Sequence, residues 1–570
     1  MTVTAELLIA GQRGATFLAN NPFEPGRGAA PRPFLLISCC QEGRGPVSTT
    51  KDVSAESEGL TPHEVHRLKP GTIGLWAVLF IALANAAPIT AMTGNVPIAI
   101  GFGNGLGAPA GFFFATVILT IFAIGYVTMA KHITTTGAFY GFISHGLGKV
   151  WGMGAGLMAT LAYIVFEASL IGILASFTKS TIETFGGPSI SWLVYALIGI
   201  VIIAALGYFE ISLSGKVLGV FLVAEVIILA ALAISILVRG GGPSGLEAGA
   251  INPVNAFSAV ASDPQAAITG SAAIGLFFAF WSWVGFETTA VYGEESKDPK
   301  KIVPRATMIA VIGLGLFYVF VSWMAIAGNG LDQAIAISRG STGNAFDLFY
   351  GITDRFLAGW VKDVYLVLVV TGSFACALAF HNAASRYLYA LGRDGVTSGL
   401  RRTLGSTHGK HGSPHIASLV QSVITVVITL GFFFLQKPTD AAPDVAYIHQ
   451  YGLMAIMGTM ALLIVQSICS IAVIWYFHVR KQHPETASWW RTFLAPLIGA
   501  VGMLYVVYLL FSNIDFAAGA AAGSPIFKAT PYIVIGIGVL GALVALALKY
   551  RSPERYERIG ATVMAESHER

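Results

Sequence analysis

The sequence predicts an all-α membrane protein with about twelve transmembrane helices, and three observations support this prediction. Of the 570 residues, 55% are apolar and only 11% are charged, whereas soluble domains carry about 25% charged residues. Apolar segments recur along the chain at lengths near the roughly 20 residues that a helix needs to cross a bilayer core of about 30 Å. The apolar residues do not alternate with polar ones, as they would in the strands of a membrane barrel.

Twelve apolar segments are candidate spans, because a helix satisfies its own backbone hydrogen bonds inside lipid. In chain order they are residues 71–100, 108–130, 151–177, 191–208, 218–238, 271–292, 306–327, 364–391, 416–435, 453–477, 493–511 and 531–548.

The chain outside and between these spans predicts its domain organisation and orientation. Residues 1–66 are rich in Gly, Pro, Ser and Glu, so we expect a disordered cytoplasmic extension before a transmembrane domain at 67–550 and a cytoplasmic tail at 551–570. Lys and Arg concentrate in alternate loops, among them 131–149, 297–305 and 393–410. Cytoplasmic loops retain these residues, so both termini are expected in the cytoplasm, in agreement with an even number of spans.

The first span is expected to be interrupted near its middle. Residues 85–97 read NAAPITAMTGNVP, with two prolines, a glycine and several small polar residues. Each proline removes a helix hydrogen bond and clashes with the preceding turn. Backbone groups freed at this depth must line a cavity or bond to other parts of the protein.

The sixth span is the second one expected to be interrupted. Residues 280–289 read FWSWVGFETT, and a glutamate at this depth is a functional candidate unless it is paired. A packing kink explains either interruption alone, but two interruptions five spans apart are typical of inverted-repeat transporters with a midplane site. There, half-helix N-termini offer N–H groups to a carboxylate, and unwound carbonyls can receive an ammonium.

Longer motifs resemble the amino acid/polyamine/organocation superfamily of permeases. After the sixth-span motif, residues 293–306 read GEESKDPKKIVPRA, which is similar to the turn and the start of the seventh helix in this family. Residues 137–140, GAFY, and 386–395, RYLYALGRDG, are further matches. The resemblance covers roughly residues 68–560 and implies a five-plus-five inverted repeat with discontinuous helices 1 and 6, plus two extra helices.

The resemblance also implies a function. It predicts a secondary active transporter that moves amino acids across the plasma membrane by alternating access, as a symporter or exchanger coupled to H⁺ or Na⁺. A transporter of polyamines or other organic amines and a cation-chloride type carrier remain alternatives. Contact with membrane lipid and a monomeric or homodimeric state are expected.

The resemblance places a substrate site between the first, third, sixth and eighth spans. The expected substrate-binding residues are Pro88, Thr90, Ala91, Thr93, Gly94, Tyr163, Trp281, Ser282, Val284, Gly285 and Phe380. In this set Trp281 is expected to close over the substrate, and the backbone at 282–285 to receive its amine. Residues 90–94 replace a Gly-Ser-Gly of many relatives, which leaves an amine substrate without a carboxylate possible.

Three glutamates inside the predicted spans are the candidates for ion coupling: Glu225, Glu287 and Glu167. Proton coupling through Glu225 in the fifth span is the hypothesis, with a structural hydrogen bond to a neighbouring helix as the alternative. Glu167 and Tyr163 could face the substrate cavity or serve helix packing. His381 and Asn382 are expected to be a packing pair rather than a proton relay.

Other chemistry has little support in the sequence. The four cysteines lack metal-binding spacing, and no phosphate-binding loop or nucleophile with a base is present. We therefore expect no enzyme activity, cofactor or metal. The basic residues lie in short loops between spans, which predicts no nucleic-acid partner.

Overall fold

The computed structural model describes residues 71, 73–209, 213–261, 270–409, 412–439, 443–513 and 524–560, with the backbone alone for 213–218. These residues are mostly helical and form no strand beyond two isolated bridges. They all belong to one compact unit. The predicted extension at 1–66 and residues 561–570 of the predicted tail lie outside the described residues.

Eleven helices in the described part of the chain are long and apolar enough to cross a membrane. We number them as spans 1–5 and 7–12, since the interrupted sixth span is too short in each of its pieces to be counted with them. Spans 1–5 are Leu75–Gly103, Gly105–Ala130, Lys149–Thr184, Trp192–Phe209 and Leu213–Val238. Span 6 comprises Ala272–Trp281 and Phe286–Ala290. Spans 7–12 are Pro299–Asn329, Gly359–Asp394, His415–Leu435, Val445–Val479, Trp489–Ser512 and Pro525–Arg551. The predicted all-α fold of about twelve spans is confirmed.

Most spans are longer than the apolar runs that predict them. Spans 3 and 8 each have 36 residues, whereas the apolar runs predict 151–177 and 364–391. An apolar run marks only the part of a helix inside the hydrocarbon core. The helices continue into the interface through polar residues such as Lys149 and Arg393.

The spans divide into enclosed and peripheral helices. In their most apolar windows, spans 3 and 10 are 83% buried, whereas span 12 is only 28% buried. Peripheral spans turn exposed apolar side chains outward, including Val201, Val427 and Leu543. Large exposed apolar surfaces mark contact with a membrane, so the chain is a multi-pass membrane protein whose spans 3 and 10 lie at its centre.

The ends of alternate spans meet on one side of the molecule. Lys149 at the start of span 3 forms a salt bridge with Glu557 after span 12. Gly560 N–H donates to Asp394 Oδ2 at the end of span 8, at 2.8 Å. We call this side the basic face and the other side the opposite face. The arrangement is the one expected of helices that cross a membrane in succession.

Candidate functional site

Span 1 is broken at a single residue. Its first helix, Leu75–Ala86, ends at Ala87, which adopts left-handed dihedrals of φ 39° and ψ 76°, and the helix Pro88–Ile98 follows at once. Pro88 explains the break, because a proline disfavours the α region for the residue before it. A left-handed alanine costs about 1–2 kcal/mol, and such strain persists only where neighbouring residues hold it.

Neighbouring spans bind the carbonyl groups that the break exposes. Tyr318 Oη of span 7 donates to Ala86 O at 3.0 Å, and Cys376 Sγ of span 8 donates to Asn85 O at 3.0 Å. The break is narrower than the predicted interruption at 85–97, since residues 90–94 are helical. One proline and its left-handed neighbour suffice to end the first helix, and Pro97 lies within the second.

Span 6 is broken over residues 282–285. The helix Ala272–Trp281 ends, and the chain resumes as a 3₁₀ helix at Phe286–Ala290 after Gly285, whose φ is 123°. A Cβ on Gly285 would lie only 2.5 Å from Asn85 Cβ. Glycine at this position therefore allows the broken segments of spans 1 and 6 to pack directly against each other.

Glu287 stabilises the break in span 6. Its Oε2 accepts from Gly285 N–H at 3.0 Å, and its Oε1 accepts from Tyr163 Oη of span 3 at 2.8 Å. Tyr126 of span 2 donates to the backbone O of Glu287 at 2.8 Å. Both carboxyl oxygens are therefore engaged in holding the turn.

Polar side chains connect the two breaks on the half of each span nearer the opposite face. Asn95 Nδ2 donates to Ser282 Oγ at 2.7 Å, and Trp281 Nε1 donates to Tyr451 Oη of span 10 at 3.0 Å. Tyr451 Oη donates in turn to Asn95 Oδ1. The Trp281 ring also stacks on Phe166 of span 3, with ring centroids 4.5 Å apart. These contacts close the site toward the opposite face.

A small cavity lies between the two breaks. The space open to the centre of a water-sized sphere is only about 10 Å³, room for about one water molecule. Its lining residues come from spans 1, 3, 6, 8 and 10 and include no charged side chain among the described residues. They are Asn85, Ala86, Ala87, Thr90, Ala91, Asn95, Leu170, Trp281, Ser282, Val284, Cys376, Phe380 and Tyr451.

Six of the predicted substrate residues line this cavity and five do not. Those that line it are Thr90, Ala91, Trp281, Ser282, Val284 and Phe380. Those that do not are Pro88, Thr93, Gly94, Tyr163 and Gly285. Pro88, Tyr163 and Gly285 instead support the breaks. Thr93 and Gly94 tie the second helix of span 1 to its neighbours, since Thr93 Oγ1 bonds to Tyr365 Oη and Gly94 O accepts from Tyr447 Oη, both at 2.7 Å.

Two buried polar atoms on the cavity wall have no hydrogen-bond partner within the described residues, Asn85 Oδ1 and Thr90 Oγ1. The Asn85 amide nitrogen donates to Ile81 O at 3.0 Å and to Thr288 Oγ1 at 3.1 Å. Because a carbonyl oxygen can only accept, these bonds identify the other amide atom of Asn85 as an oxygen acceptor. The cavity thus offers an acceptor and a hydroxyl to a bound molecule.

Sequence reasoning named the wrong residue of span 3 and missed span 10 altogether. Leu170 and Tyr451 both line the cavity, yet neither lies in a polar or interrupted motif that draws notice. A π-helical segment at Val445–Tyr451 brings Tyr451 inward, and the aspartate that caps it, Asp444, is the one local signal. Trp281 and Tyr451 are 170 positions apart, and the spacing of residues in a motif does not reveal a contact over that distance in the sequence.

Glu225 of span 5 lies beside the break in span 1 without lining the cavity. Its carboxyl group is within hydrogen-bonding reach of Ile89 N–H, the first amide of the second helix, since Pro88 has none. A Cβ on Gly372 of span 8 would lie 2.6 Å from Glu225 Oε1. Glu225 Oε2 is buried and has no hydrogen-bond partner in the described part of the chain. This carboxyl group therefore joins spans 1, 5 and 8 at the break.

Glu167 does not face the cavity, contrary to one of the two expectations for it. It lies behind the cavity wall, where its Oε2 contacts His381 Nδ1 of span 8 at 3.1 Å and accepts from Gln421 Nε2 of span 9 at 2.5 Å. On the helix of span 3, Glu167 is three residues from Leu170, which is the one that lines the cavity.

Two buried ion pairs connect the turn after span 6 to span 8 at the basic face. Arg386 Nε lies 2.9 Å from Glu295 Oε1, and the Arg393 guanidinium contacts both oxygens of Glu294 at 3.2 Å. Thr136 N–H donates to Glu294 Oε1 at 2.8 Å. Burial acts to raise the pKa of Glu294, but the Arg393 guanidinium and the hydrogen bonds from Thr136 together outweigh it and hold this pKa below its usual value. These pairs close the site toward the basic face.

Comparison with known proteins identifies relatives over most of this chain. The model of the family described as amino acid permease matches residues 73–548. The branched-chain amino acid permease of Lactococcus lactis subsp. cremoris is 24% identical over 354 residues, which cover 58% of this chain and 69% of the relative.

Two further relatives match over shorter regions. The branched-chain amino acid permease of Bacillus subtilis is 20% identical over 250 residues, covering 42% of this chain and 45% of the relative. An uncharacterized transporter of Mycobacterium tuberculosis is 24% identical over 218 residues, covering 36% and 44%. The chain thus spans less than half the length of these two relatives.

Proposed function

This chain belongs to the amino acid permease family, and from this premise we propose that it is a secondary active transporter of neutral, aliphatic amino acids. It works by alternating access in the cell membrane, with the basic face and both termini in the cytoplasm. The observation that carries the proposal is the cavity between the two helix breaks, with its uncharged lining and its two unpaired polar atoms.

The cavity lining favours an uncharged, apolar substrate side chain. Leu170, Val284 and Phe380 supply apolar surface, and a charged side chain enclosed there without a partner would cost several kcal/mol. Two of the relatives are named branched-chain amino acid permeases, which agrees with this choice. A cation-chloride type carrier has no support, because no basic residue of the described lining could hold an anion.

The polar atoms on the cavity wall suit the ammonium group of an amino acid. Asn85 Oδ1 is an acceptor at the break in span 1 without a partner in the described part of the chain, and an ammonium group supplies three donors. The substrate then provides the hydrogen bond that Asn85 lacks within the protein. This complementarity supports binding at the breaks themselves, where the backbone of span 6 also turns at 282–285.

The enclosure of the cavity supports alternating access. Trp281 and Tyr451 close it toward the opposite face, and the pairs of Glu294 and Glu295 close it toward the basic face. A cavity of this size admits no amino acid, so transport requires each closure to open in turn. We assign the two sets of contacts as the gates, because they share no residue and lie on opposite sides of the cavity.

We propose that Glu225 couples transport to a proton. Its carboxyl group lies beside the N-terminus of the second helix of span 1, where the helix dipole favours a negative charge, and one of its oxygens has no hydrogen-bond partner among the described residues. Protonation removes that charge next to the break. Glu287 is the weaker candidate, since both of its oxygens are bound in holding the turn of span 6.

One observation favours a second candidate, an organic amine without a carboxylate. Ile89 N–H, the first amide of the second helix of span 1, already faces the Glu225 carboxyl group. A substrate carboxylate would have to share or displace that contact. An amine would not.

Exchange in proteoliposomes tests these proposals together. Liposomes loaded with unlabelled leucine are diluted into labelled leucine, isoleucine, valine, lysine, glutamate or putrescine, with and without proton and sodium gradients. We expect exchange of the three branched amino acids and faster net uptake with an inward proton gradient. Exchange of putrescine in liposomes loaded with putrescine, but no exchange of leucine, would support the amine. Exchange of none of them would overturn the proposed function.

A further inference from the structure

Span 9 carries a polar face that is turned into the protein. Ser418, Gln421, Ser422, Thr425 and Thr429 are all buried, and their spacing of three or four residues places them on one side of the helix. The other side presents exposed apolar residues, among them Leu419, Val423 and Val427. Lipid contact therefore accounts for the apolar side only, and the polar face serves another purpose.

An ionisable pair faces the middle of this polar face. Glu167 of span 3 and His381 of span 8 both have side chains with 0% exposure, and Glu167 Oε2 lies 3.1 Å from His381 Nδ1. His381 Nε2 lies 2.7 Å from Ser418 Oγ, and Gln421 Nε2 donates to Glu167 Oε2 at 2.5 Å. None of these four residues lines the substrate cavity, so the pair is a separate polar centre.

This centre contains unpaired acceptors and a glycine that makes room for it. Glu167 Oε1 and Gln421 Oε1 are buried without a hydrogen-bond partner among the described residues. A Cβ on Gly207 of span 4 would lie 2.6 Å from His381 Nε2. Buried polar groups in folded proteins are nearly always paired, and the exceptions call for an explanation such as a catalytic role or a bound species.

The other ionisable groups on the packed helices do not neutralise this pair. Tyr163, one turn before Glu167 on span 3, bonds to Glu287. Arg386, further along span 8, bonds to Glu295. Tyr208 of span 4 and His415 of span 9 lie in ring contact with each other at the basic face. Glu167 thus has His381 as its partner.

We propose that Glu167 and His381 form a proton-binding site, distinct from the substrate cavity, that exchanges protons with the basic face along the polar face of span 9. Intramembrane Glu and His residues mark proton relays in pumps and transporters. The route begins at His415, the first residue of span 9, and reaches Ser418 three residues later. It ends at Glu167 Oε2, the oxygen that contacts His381 Nδ1.

The hydrogen bonds allow a balanced proton transfer. With His381 neutral, Nδ1–H donates to Glu167 Oε2 and Nε2 accepts from Ser418 O–H. A proton that reaches Ser418 Oγ lets this hydroxyl give its own proton to Nε2, and Nδ1 then gives its proton to Glu167. The net change is one proton bound by Glu167 and the opposite tautomer of a neutral His381.

Infrared difference spectroscopy between acid and neutral pH tests proton binding without reference to transport. In lipid, the wild-type protein is expected to show a carboxylic-acid C=O band that Glu167→Gln removes and Glu225→Gln retains. His381→Gln should shift the pH midpoint of that band. A spectrum of Glu167→Gln identical to that of the wild type would overturn the proposal.

Should both variants fail to fold, Ser418→Ala still tests the route, since it removes one hydroxyl. With Ser467→Ala, a buried serine of span 10, as its control, Ser418→Ala is expected to slow the appearance of the band, and an unchanged rate would overturn the route.

A transport measurement then tests the role of the site, and this part rests on the proposed function. Glu167→Gln is expected to lose roughly tenfold in accumulation driven by a proton gradient while leucine exchange stays within about twofold, as for a coupling free energy of ordinary size. A purely structural role predicts that exchange falls together with accumulation, which would contradict coupling. Absence of leucine exchange in the wild type would instead refute the proposed function, and the infrared result would stand by itself.

Discussion

At the residue scale, Gly285 and Ala87 determine where spans 6 and 1 leave helical geometry. Gly285 adopts φ 123°, a backbone conformation that residues with a side chain rarely adopt. Because Gly285 has no Cβ, Asn85 can approach it closely. Ala87 adopts φ 39° under the influence of Pro88. A glycine adopts the conformation of Gly285 without strain. The strained conformation of Ala87 is instead held in place by Tyr318 and the neighbouring helices.

Gly285→Ala is expected to lower stability by about 1–3 kcal/mol through backbone strain and to abolish exchange, because the added methyl group pushes the two breaks apart. The measurement is the melting temperature in detergent together with leucine exchange in liposomes. Gly313→Ala in span 7 is the matched control, since a Cβ there meets no atom within 4 Å. Equal behaviour of the two variants would contradict the role assigned to Gly285.

Glu225→Gln is expected to reduce accumulation driven by a proton gradient roughly tenfold, because the amide keeps the shape of the side chain but cannot exchange a proton. Exchange of leucine at equal concentrations should persist. Uptake measured across a range of pH checks this, with Glu183→Gln, an exposed glutamate of span 3, as control. An unaltered pH profile in Glu225→Gln would refute coupling through this residue.

At the element scale, the sequence predicted which helices break but not how. Two prolines and a run of small residues indicated an interruption over 85–97, yet only Pro88 breaks the helix, since Pro97 lies in the second helix, which bends into a π-helix at Ala99–Gly103. Local patterns report that a helix is weakened. Which proline ends the helix depends on partners such as Tyr318 and Cys376, which are distant in sequence and invisible to a local pattern.

The C-terminal segment after span 12 is a second element whose structure the sequence did not reveal. The sequence predicted only a cytoplasmic tail at 551–570. A short helix at Pro553–Arg558 leads to Ile559, which is buried against Met153 and Leu391. Gly560 N–H donates to Asp394 at 2.8 Å. The described part of this segment therefore packs onto the basic face and joins spans 3, 8 and 12.

Ile559→Asp is expected to lower stability by about 3 kcal/mol or more, because it places an unpaired charge in an apolar contact. The melting temperature in detergent is the measurement. Glu554→Ala, an exposed position of the same short helix, should leave it unchanged. A melting temperature of Ile559→Asp equal to that of the wild type would show that the segment does not dock.

At the scale of the whole molecule, the number and order of the spans followed from hydrophobicity, because the bilayer fixes the length and composition of each helix. The substrate cavity followed only in part, since a site built from five spans depends on contacts such as that of Tyr451 with Trp281. The sequence located the sixth-span wall by its motif. It assigned the wall from span 3 to Tyr163 rather than Leu170 and did not locate the wall from span 10, because Leu170 and Tyr451 are ordinary residues for a membrane helix.

The ion pairs between the turn after span 6 and span 8 stabilise the closed molecule only while both the glutamate and the arginine of each pair are charged. Because the pKa of Glu294 is held below its usual value, about 4.3, its stabilising effect is complete above that value and is lost as the pH falls through the lowered pKa. Over the physiological range the pair of Glu294 and Arg393 is therefore constant, and any pH dependence of transport arises elsewhere.

Glu294→Gln at neutral pH is expected to cost about 3–5 kcal/mol, because it leaves Arg393 buried without its partner. Replacing both residues, as Glu294→Gln with Arg393→Gln, should recover a substantial part of this loss. The free energies of unfolding of the two single variants and the double variant measure the coupling. If the loss in the double variant equals the sum of the losses in the two single variants, the pair does not join the turn after span 6 to span 8.

The most direct test of the central claim, that substrate binds between the two helix breaks, is protection of Cys376 from alkylation. Cys376 lines the cavity, and replacing Cys39, Cys40 and Cys469 by serine leaves it as the sole cysteine of the chain. Saturating leucine is expected to slow its reaction with a small maleimide in proteoliposomes, whereas glutamate should not. A reaction rate unchanged by every substrate that the protein exchanges would contradict the claim.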